Sequence, residues 1–380
     1  MKIAISNNLA LTDIQTPDLA NSIREKLTLK NPAYDEAEKM GRWTGNIPKA
    51  LAFWKESGDG LTVPRGLFSN IKLICSDIRE PVTIEDNRRT LPPVDYSFTG
   101  YLREYQQEAV EEIIARDEAT LSAPTGAGKT VIGLAIIAER RQPALIIVHT
   151  RELMEQWKER IETFLGIPAA DIGQIGGGKK TIGEKITVSI VNTLYQIAPD
   201  IKKHFGHIVI DECHRAPSRT FTEALAVFDA RFRLGLSATP FRRDGLSSVI
   251  FWHCGPLCKI NPAEVKATGA IVPATVTIKQ TGFIPLTDPA EEYSRSLAEL
   301  TEDQNRTAAI ARDVAAEAKN GGGTCLCLTD RKKHAEAISC ALERHHQSAE
   351  ILTGDMTAGK RQEIVDRLNS GNDFLPFSGG

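Results

Sequence analysis

Long hydrophobic runs are missing from this sequence of 380 residues; the longest strand-like one is Ala144-Leu145-Ile146-Ile147-Val148. A membrane span needs about 20 apolar residues, so a role as a membrane-embedded protein is excluded on this reading. A secretory leader is not legible either, because Met1-Lys2-Ile3-Ala4 runs at once into Ser6, Asn7 and Asn8. A surplus of one charge is also lacking: 46 basic against 49 acidic side chains leave a net charge of −3, so any contact with a polyanion must come from local patches. Cysteine is sparse and odd in number, with Cys75, Cys213, Cys254, Cys258, Cys325, Cys327 and Cys340 scattered along the chain. That pattern argues against a disulfide framework. His253, Cys254 and Cys258 form only half of a metal site, with no second pair at ligand spacing, and the cysteines read as small buried hydrophobes. A cytoplasmic, reducing setting is the expectation.

What remains is an ordinary globular composition, 41% hydrophobic and 25% charged, long enough for two or three domains. Residues 1–95 lack α/β periodicity and carry Phe53, Trp54, Trp43 and a Pro92-Pro93 exit. They read as a small mixed accessory domain, whose function the residues do not reveal. From residue 96 to 260, short apolar strands alternate with helical periodicity: Ala119–Ser122, Leu145–Val148, Ile186–Val191, Ile208–Ile210 and Leu234–Leu236 are the strands. This predicts an α/β domain, a parallel sheet with helices on both faces and its ligand at the carboxyl ends of the strands. A Pro- and Gly-rich stretch, 261–305, reads as a linker. Residues 306–380 open a second α/β unit with a strand at Cys325–Leu328.

Two motifs carry chemistry. Ala123-Pro124-Thr125-Gly126-Ala127-Gly128-Lys129-Thr130 lies between a strand and a helix. Glycines let backbone N–H groups curl around phosphate oxygens, a lysine reaches the β and γ phosphates, and the hydroxyl of Thr130 suits Mg²⁺. About eighty residues on, the strand His207-Ile208-Val209-Ile210 ends in Asp211-Glu212-Cys213-His214. Two carboxylates at the ligand edge of a parallel sheet suit a metal-holding Asp211 and a Glu212 that deprotonates water. Together the motifs predict a site for ATP and Mg²⁺.

Here the sequence resembles the superfamily 2 helicases and translocases. Asp211-Glu212-Cys213-His214 reads as motif II, Ser237-Ala238-Thr239 as motif III, and His149-Thr150-Arg151-Glu152-Leu153 is similar to motif Ia. Tyr105-Gln106 looks like the adenine-recognition segment, and Ile175-Gly176-Gly177 and Val191-Asn192-Thr193 look like further nucleic-acid contact segments. Ser237 through Gly245 is closest to the XPB-like branch, with Arg242-Arg243-Asp244 where that branch often has Arg-Glu-Asp. The resemblance implies two RecA-like domains that close on ATP and step along one strand by backbone contacts. It assigns adenine contact to Arg103 and Gln106, strand contact to Thr150, Arg151, Gly177 and Thr193, and coupling to His214, Ser237 and Thr239. DNA, single-stranded or at a duplex junction, is the implied partner, with RNA left open. Other readings stay open: an ATP-switched binding module without turnover, or the motor subunit of a restriction system. The latter needs a nuclease segment, and no Pro-Asp…Asp/Glu-x-Lys constellation stands out.

The second RecA-like domain starts with Leu326-Cys327-Leu328-Thr329-Asp330-Arg331, similar to motif IV, and continues through Leu352-Thr353-Gly354-Asp355-Met356. Residues 371–380 contain neither the Thr-bearing strand nor the Gln/Gly/Arg-rich motif that the family places there. The domain therefore reads as incomplete, hydrolysis as impaired, and a separate polypeptide as a candidate to complete it. An open sheet edge is expected near Cys325–Leu328.

Overall fold

The computed structural model describes residues 1–58, 60–215, 219–270, 274–320, 324–369 and 376–379. The chain divides into two compact units, Met1–Ala274 and Thr275–Gly380.

The first unit is built on an eight-stranded sheet in the order Lys179–Lys180, Gly173–Gly176, Ile186–Ile190, Ala144–Val148, His207–Asp211, Phe232–Ser237, Glu118–Ser122, Leu257–Lys259. Every pairing is parallel except the hairpin that adds Lys179–Lys180. The interior strands are buried along their whole length, which is why they read as continuous apolar runs rather than alternating ones. Helices follow the periodicity of the sequence. Arg151–Leu165 buries Met154, Trp157, Ile161 and Leu165 on one stripe, is capped by Thr150 Oγ1 accepting from Leu153 N, and stops at Gly166 with φ +62°.

The strand of Ser237 lies between the strand that leads to the phosphate loop and the strand that ends in Asp211, with Ser237 beside Ser122 and Leu236 beside Asp211. Three segments distant in sequence thus end at one edge.

Residues expected as a separate accessory domain form a five-stranded sheet of their own, in the order Lys55–Ser57, Gly60–Pro64, Asn8–Thr12, Lys2–Ile5, Thr83–Asp86. They belong to the same compact unit as the large sheet. Buried Arg65 explains this: its guanidinium donates to Ser6 O (3.0 Å) and Ala230 O (2.7 Å) and pairs with Glu118. Arg88 reaches Asp117 (2.8 Å), Arg89 reaches Asp229 (2.9 Å), and the Phe53 ring meets Trp252 edge-on at 5.3 Å.

The stretch expected as a linker contains two helices, Pro262–Ala267 and Tyr293–Glu302, and the first unit extends to Ala274. Asn261 caps the former by accepting from Ala263 N, with Pro262 at its first position, so one of the prolines that suggested a loop starts a helix instead.

In the second unit the strands Cys327–Thr329, Pro376–Gly379 and Glu350–Leu352 form a parallel sheet in that order, with helices Gln304–Asn320 and Lys332–Glu343. Pro376–Gly379 is the central strand of this sheet, and it carries no threonine. Its proline and glycine hide it from propensity. Cys327–Thr329 is an edge of that sheet. The cysteines also divide: Cys75, Cys213, Cys254 and Cys258 are buried, Cys325 and Cys327 half-buried, and Cys340 exposed, so the expectation of small buried hydrophobes fails for the last three.

Candidate active site

The phosphate loop runs from Ala123 to Gly128 between the strand Glu118–Ser122 and the helix Lys129–Arg140. Gly128 has φ +83°, left-handed backbone that glycine adopts without cost, and a Cβ there would collide with the amide nitrogen of Gln106. Beneath the loop, Gln106 Nε2 donates to Ala127 O (2.8 Å) while its Oε1 accepts from Arg103 N (2.9 Å). The Tyr105 hydroxyl donates to the same carbonyl at 3.3 Å. Gln106, assigned to adenine from sequence, is thus buried, and its amide ties the loop carbonyl of Ala127 to the backbone N–H of Arg103, which heads the Glu104–Ile114 helix. Pro124, Thr125, Gly126 and Ala127 form the turn, and Lys129 Nζ lies 3.4 Å from Ala123 O.

Lys129, Thr130, Asp211 and Glu212 line one cavity of about 280 Å³, together with Gln156, Trp157 and Arg160. Asp211 is held on both oxygens: Trp157 Nε1 donates to Oδ2 at 2.8 Å and Glu212 N to Oδ1 at 2.9 Å. Burial pushes the Asp211 carboxyl above its ordinary range and Glu212 adds to that, while the Trp157 bond and Lys129 pull it down. Glu212 has φ +49°, a sharp break at the strand end of the kind that costs about 1–3 kcal/mol and clusters at functional sites.

A metal fits this donor set. The hydroxyl of Thr130 and the carboxylates of Asp211 and Glu212 are hard oxygen ligands lining one cavity. Few protein ligands, with the remainder from water and phosphate, is the preference of Mg²⁺.

Past Glu212 a chain of polar contacts leads along the sheet edge. Nδ1 of His214 lies 3.1 Å from Glu212 Oε2 and 3.1 Å from Ser237 Oγ. A carboxylate only accepts, so Nδ1 carries the proton. Ser237 Oγ in turn accepts from Thr239 N (3.1 Å), and Arg242 donates to His214 O at 2.9 Å. The residues assigned to coupling therefore touch one another and Glu212.

The residues assigned to strand contact sit at the carboxyl ends of neighbouring strands. Thr150 and Arg151 open a helix after Ala144–Val148, Gly177 follows Gly173–Gly176, and Thr193 lies in the first turn after Ile186–Ile190. Thr150 and Arg151 are exposed, Thr193 half-buried, and a Cβ on Gly177 would lie 3.7 Å from Arg151 Nε. Sequence reasoning missed Trp157. It falls on the buried stripe of its helix, where an aromatic reads as core, and nothing local signals that its N–H meets Asp211.

Comparison with known proteins follows the same residues. Residues 99–242 match the family described as Type III restriction enzyme, res subunit. The DNA 3'-5' translocase XPB2 of Sulfurisphaera tokodaii is 37% identical over 156 residues, 41% of this chain and 35% of that protein. The DNA 3'-5' helicase XPB of Kineococcus radiotolerans is 27% identical over 293 residues, 73% of this chain and 50% of that protein. The chain spans between about a third and a half of these relatives. The UvsW helicase from bacteriophage T4 shares the fold with a TM-score of 0.52 at 19% identity, covering 68% of this chain and all of that one. No helix among the described residues is long and apolar enough to cross a membrane. Phosphate loop, strand-end carboxylates and relatives thus agree on one region: residues 99–242 match the restriction-enzyme res-subunit family model, and the chain is similar there to DNA helicases and translocases of the XPB type.

Proposed function

We propose that this chain binds ATP at the 123–130 loop and couples its hydrolysis to movement along DNA. The observation that carries the reading is the convergence of Lys129, Thr130, Asp211 and Glu212 on one cavity. Lys129 and the loop N–H groups hold the phosphates. Thr130 and Asp211 would hold Mg²⁺, which neutralises charge developing on the phosphoryl oxygens. Glu212 orients water and takes its proton, and the His214 contact keeps its carboxylate aimed. His214, Ser237 and Thr239 carry the state of the γ-phosphate towards the strand-binding edge, where Thr150, Arg151, Gly177 and Thr193 contact the phosphate backbone. Arg103 and Gln106 set the preference for adenine through the planar guanidinium and the amide. Residues 1–95 add a second surface for DNA. The XPB-type relatives favour a DNA translocase over a restriction motor.

The test is phosphate release with and without single-stranded DNA. Glu212→Gln is expected to lower turnover by about 10²-fold or more while an ATP analogue still binds, because the amide keeps the shape and cannot take the proton. Lys129→Ala is expected to weaken binding of a fluorescent ATP analogue at least several-fold. Unchanged analogue affinity in Lys129→Ala would remove the phosphate-loop assignment.

A further inference from the structure

The helix Arg151–Leu165 has two ends of different character. Its first residue, Arg151, is exposed beside Gly177 at the edge assigned to strand contact. Six residues on, about 9 Å along the axis, Trp157 is buried and donates its indole N–H to Asp211 Oδ2 at 2.8 Å. The same indole lies against the phosphate-loop helix: its ring edge is 3.3 Å from where a Cβ on Gly133 would sit, one turn beyond Lys129. One side chain therefore joins the helix that opens at the strand-contact edge, the helix that carries Lys129, and the carboxylate placed to hold the metal.

The indole nitrogen is a donor only, and a bond from it to an ionised carboxylate is charge-assisted and directional. With Glu212 N on the other oxygen, the rotation of the Asp211 carboxylate is fixed from two sides. A helix moves as a rigid rod over two turns, so a displacement at Arg151 reaches the indole. Resting on the nucleotide-site reading above, we infer that Trp157 is a positioning residue that couples the strand-contacting end of its helix to the metal-holding carboxylate, so that nucleic acid bound at Arg151 changes the affinity of the site for Mg²⁺·nucleotide. By linkage, Mg²⁺·nucleotide changes nucleic-acid affinity by the same factor.

The experiment is equilibrium binding of a fluorescent ATP analogue to the full chain across a Mg²⁺ titration, with and without oligothymidylate. Three proteins are compared: wild type, Trp157→Phe, and the chain with benzothienylalanine at 157, which keeps the shape of the indole and lacks the N–H. A thermal melt shows that each is folded. Both replacements are expected to raise the Mg²⁺ midpoint about tenfold or more, the usual effect of removing a partner from a ligating carboxylate, and to erase the shift that oligothymidylate causes. A benzothienylalanine chain with the wild-type midpoint and the wild-type oligothymidylate shift overturns the inference, even if Trp157→Phe is impaired, since packing alone would then explain it. Wild type that binds the analogue without regard to Mg²⁺ overturns the nucleotide-site reading and this inference together.

Discussion

At Gly128 the left-handed backbone and the nearness of the Gln106 amide leave room for no side chain. Gly128→Ala is expected to weaken analogue binding by at least tenfold, because it displaces both the loop and its brace; isothermal titration measures this. Gln106→Ala is expected to do two things at once: reduce discrimination between ATP and GTP, and loosen the loop by freeing Ala127 O. His207 shows a different residue-scale effect. It is fully buried, and burial, with Arg140 nearby, holds its imidazole well below the ordinary histidine range. Neither ring nitrogen has a hydrogen-bond partner among the described residues. The folded chain therefore keeps His207 neutral where the unfolded chain protonates it, so its contribution is intact above about pH 6.5 and lost as pH falls below that. His253, pushed down to about 3 by burial, with Arg233 adding to the shift, acts in the same direction. His207→Leu is expected to be more stable than wild type at pH 5 by about 2 kcal/mol and to differ little at pH 8, as read by urea unfolding at both pH values.

Among the elements, the junction between the small five-stranded sheet and the large one turns on Arg65. Burial, with Arg233 nearby, draws its guanidinium down to about 9 while Glu118 opposes the shift. Two carbonyls and one buried carboxylate depend on it. Arg65→Leu is expected to cost about 3–5 kcal/mol by leaving Glu118 buried and unpaired, and Arg65→Leu with Glu118→Gln is expected to recover part of that. Denaturant midpoints of the three chains check it. This junction was not legible in sequence: an arginine after a strand reads as surface charge, and its acceptors lie 59 and 165 residues away. The phosphate loop and the acidic strand end were legible because each is one continuous segment whose chemistry is local. The strand at Pro376–Gly379 was not, because pairing with neighbours rather than propensity makes it a strand.

For the whole molecule, the two compact units make a separable prediction. The loop, Asp211, Glu212 and the strand-contact residues all lie within Met1–Ala274. A fragment of residues 1–274 is expected to fold and to bind the ATP analogue within about fivefold of the full chain, since Lys129, Thr130, Asp211 and Glu212 all lie in that unit. Oligothymidylate-stimulated phosphate release by that fragment is expected to fall far below that of a chain with two full RecA-like domains, because stimulation depends on closure of one domain on another. Calorimetry and a phosphate-release assay check the two halves of this expectation separately.

The sequence by itself determined the class of fold, the glycine-rich loop between strand and helix, and the two carboxylates at a strand end, because strand runs, glycine turns and charged strand ends are written in neighbouring residues. Tertiary structure alone decided three things. Parallel pairing set the strand of Ser237 between those of the loop and of Asp211, which brings Glu212, His214, Ser237 and Thr239 into one chain of contacts. Burial gave Arg65 its role as a fastener of the amino-terminal sheet. The packing of one helix turned a core tryptophan into a partner of Asp211. Each depends on groups far apart along the chain, and only the folded sheet specifies which of them meet.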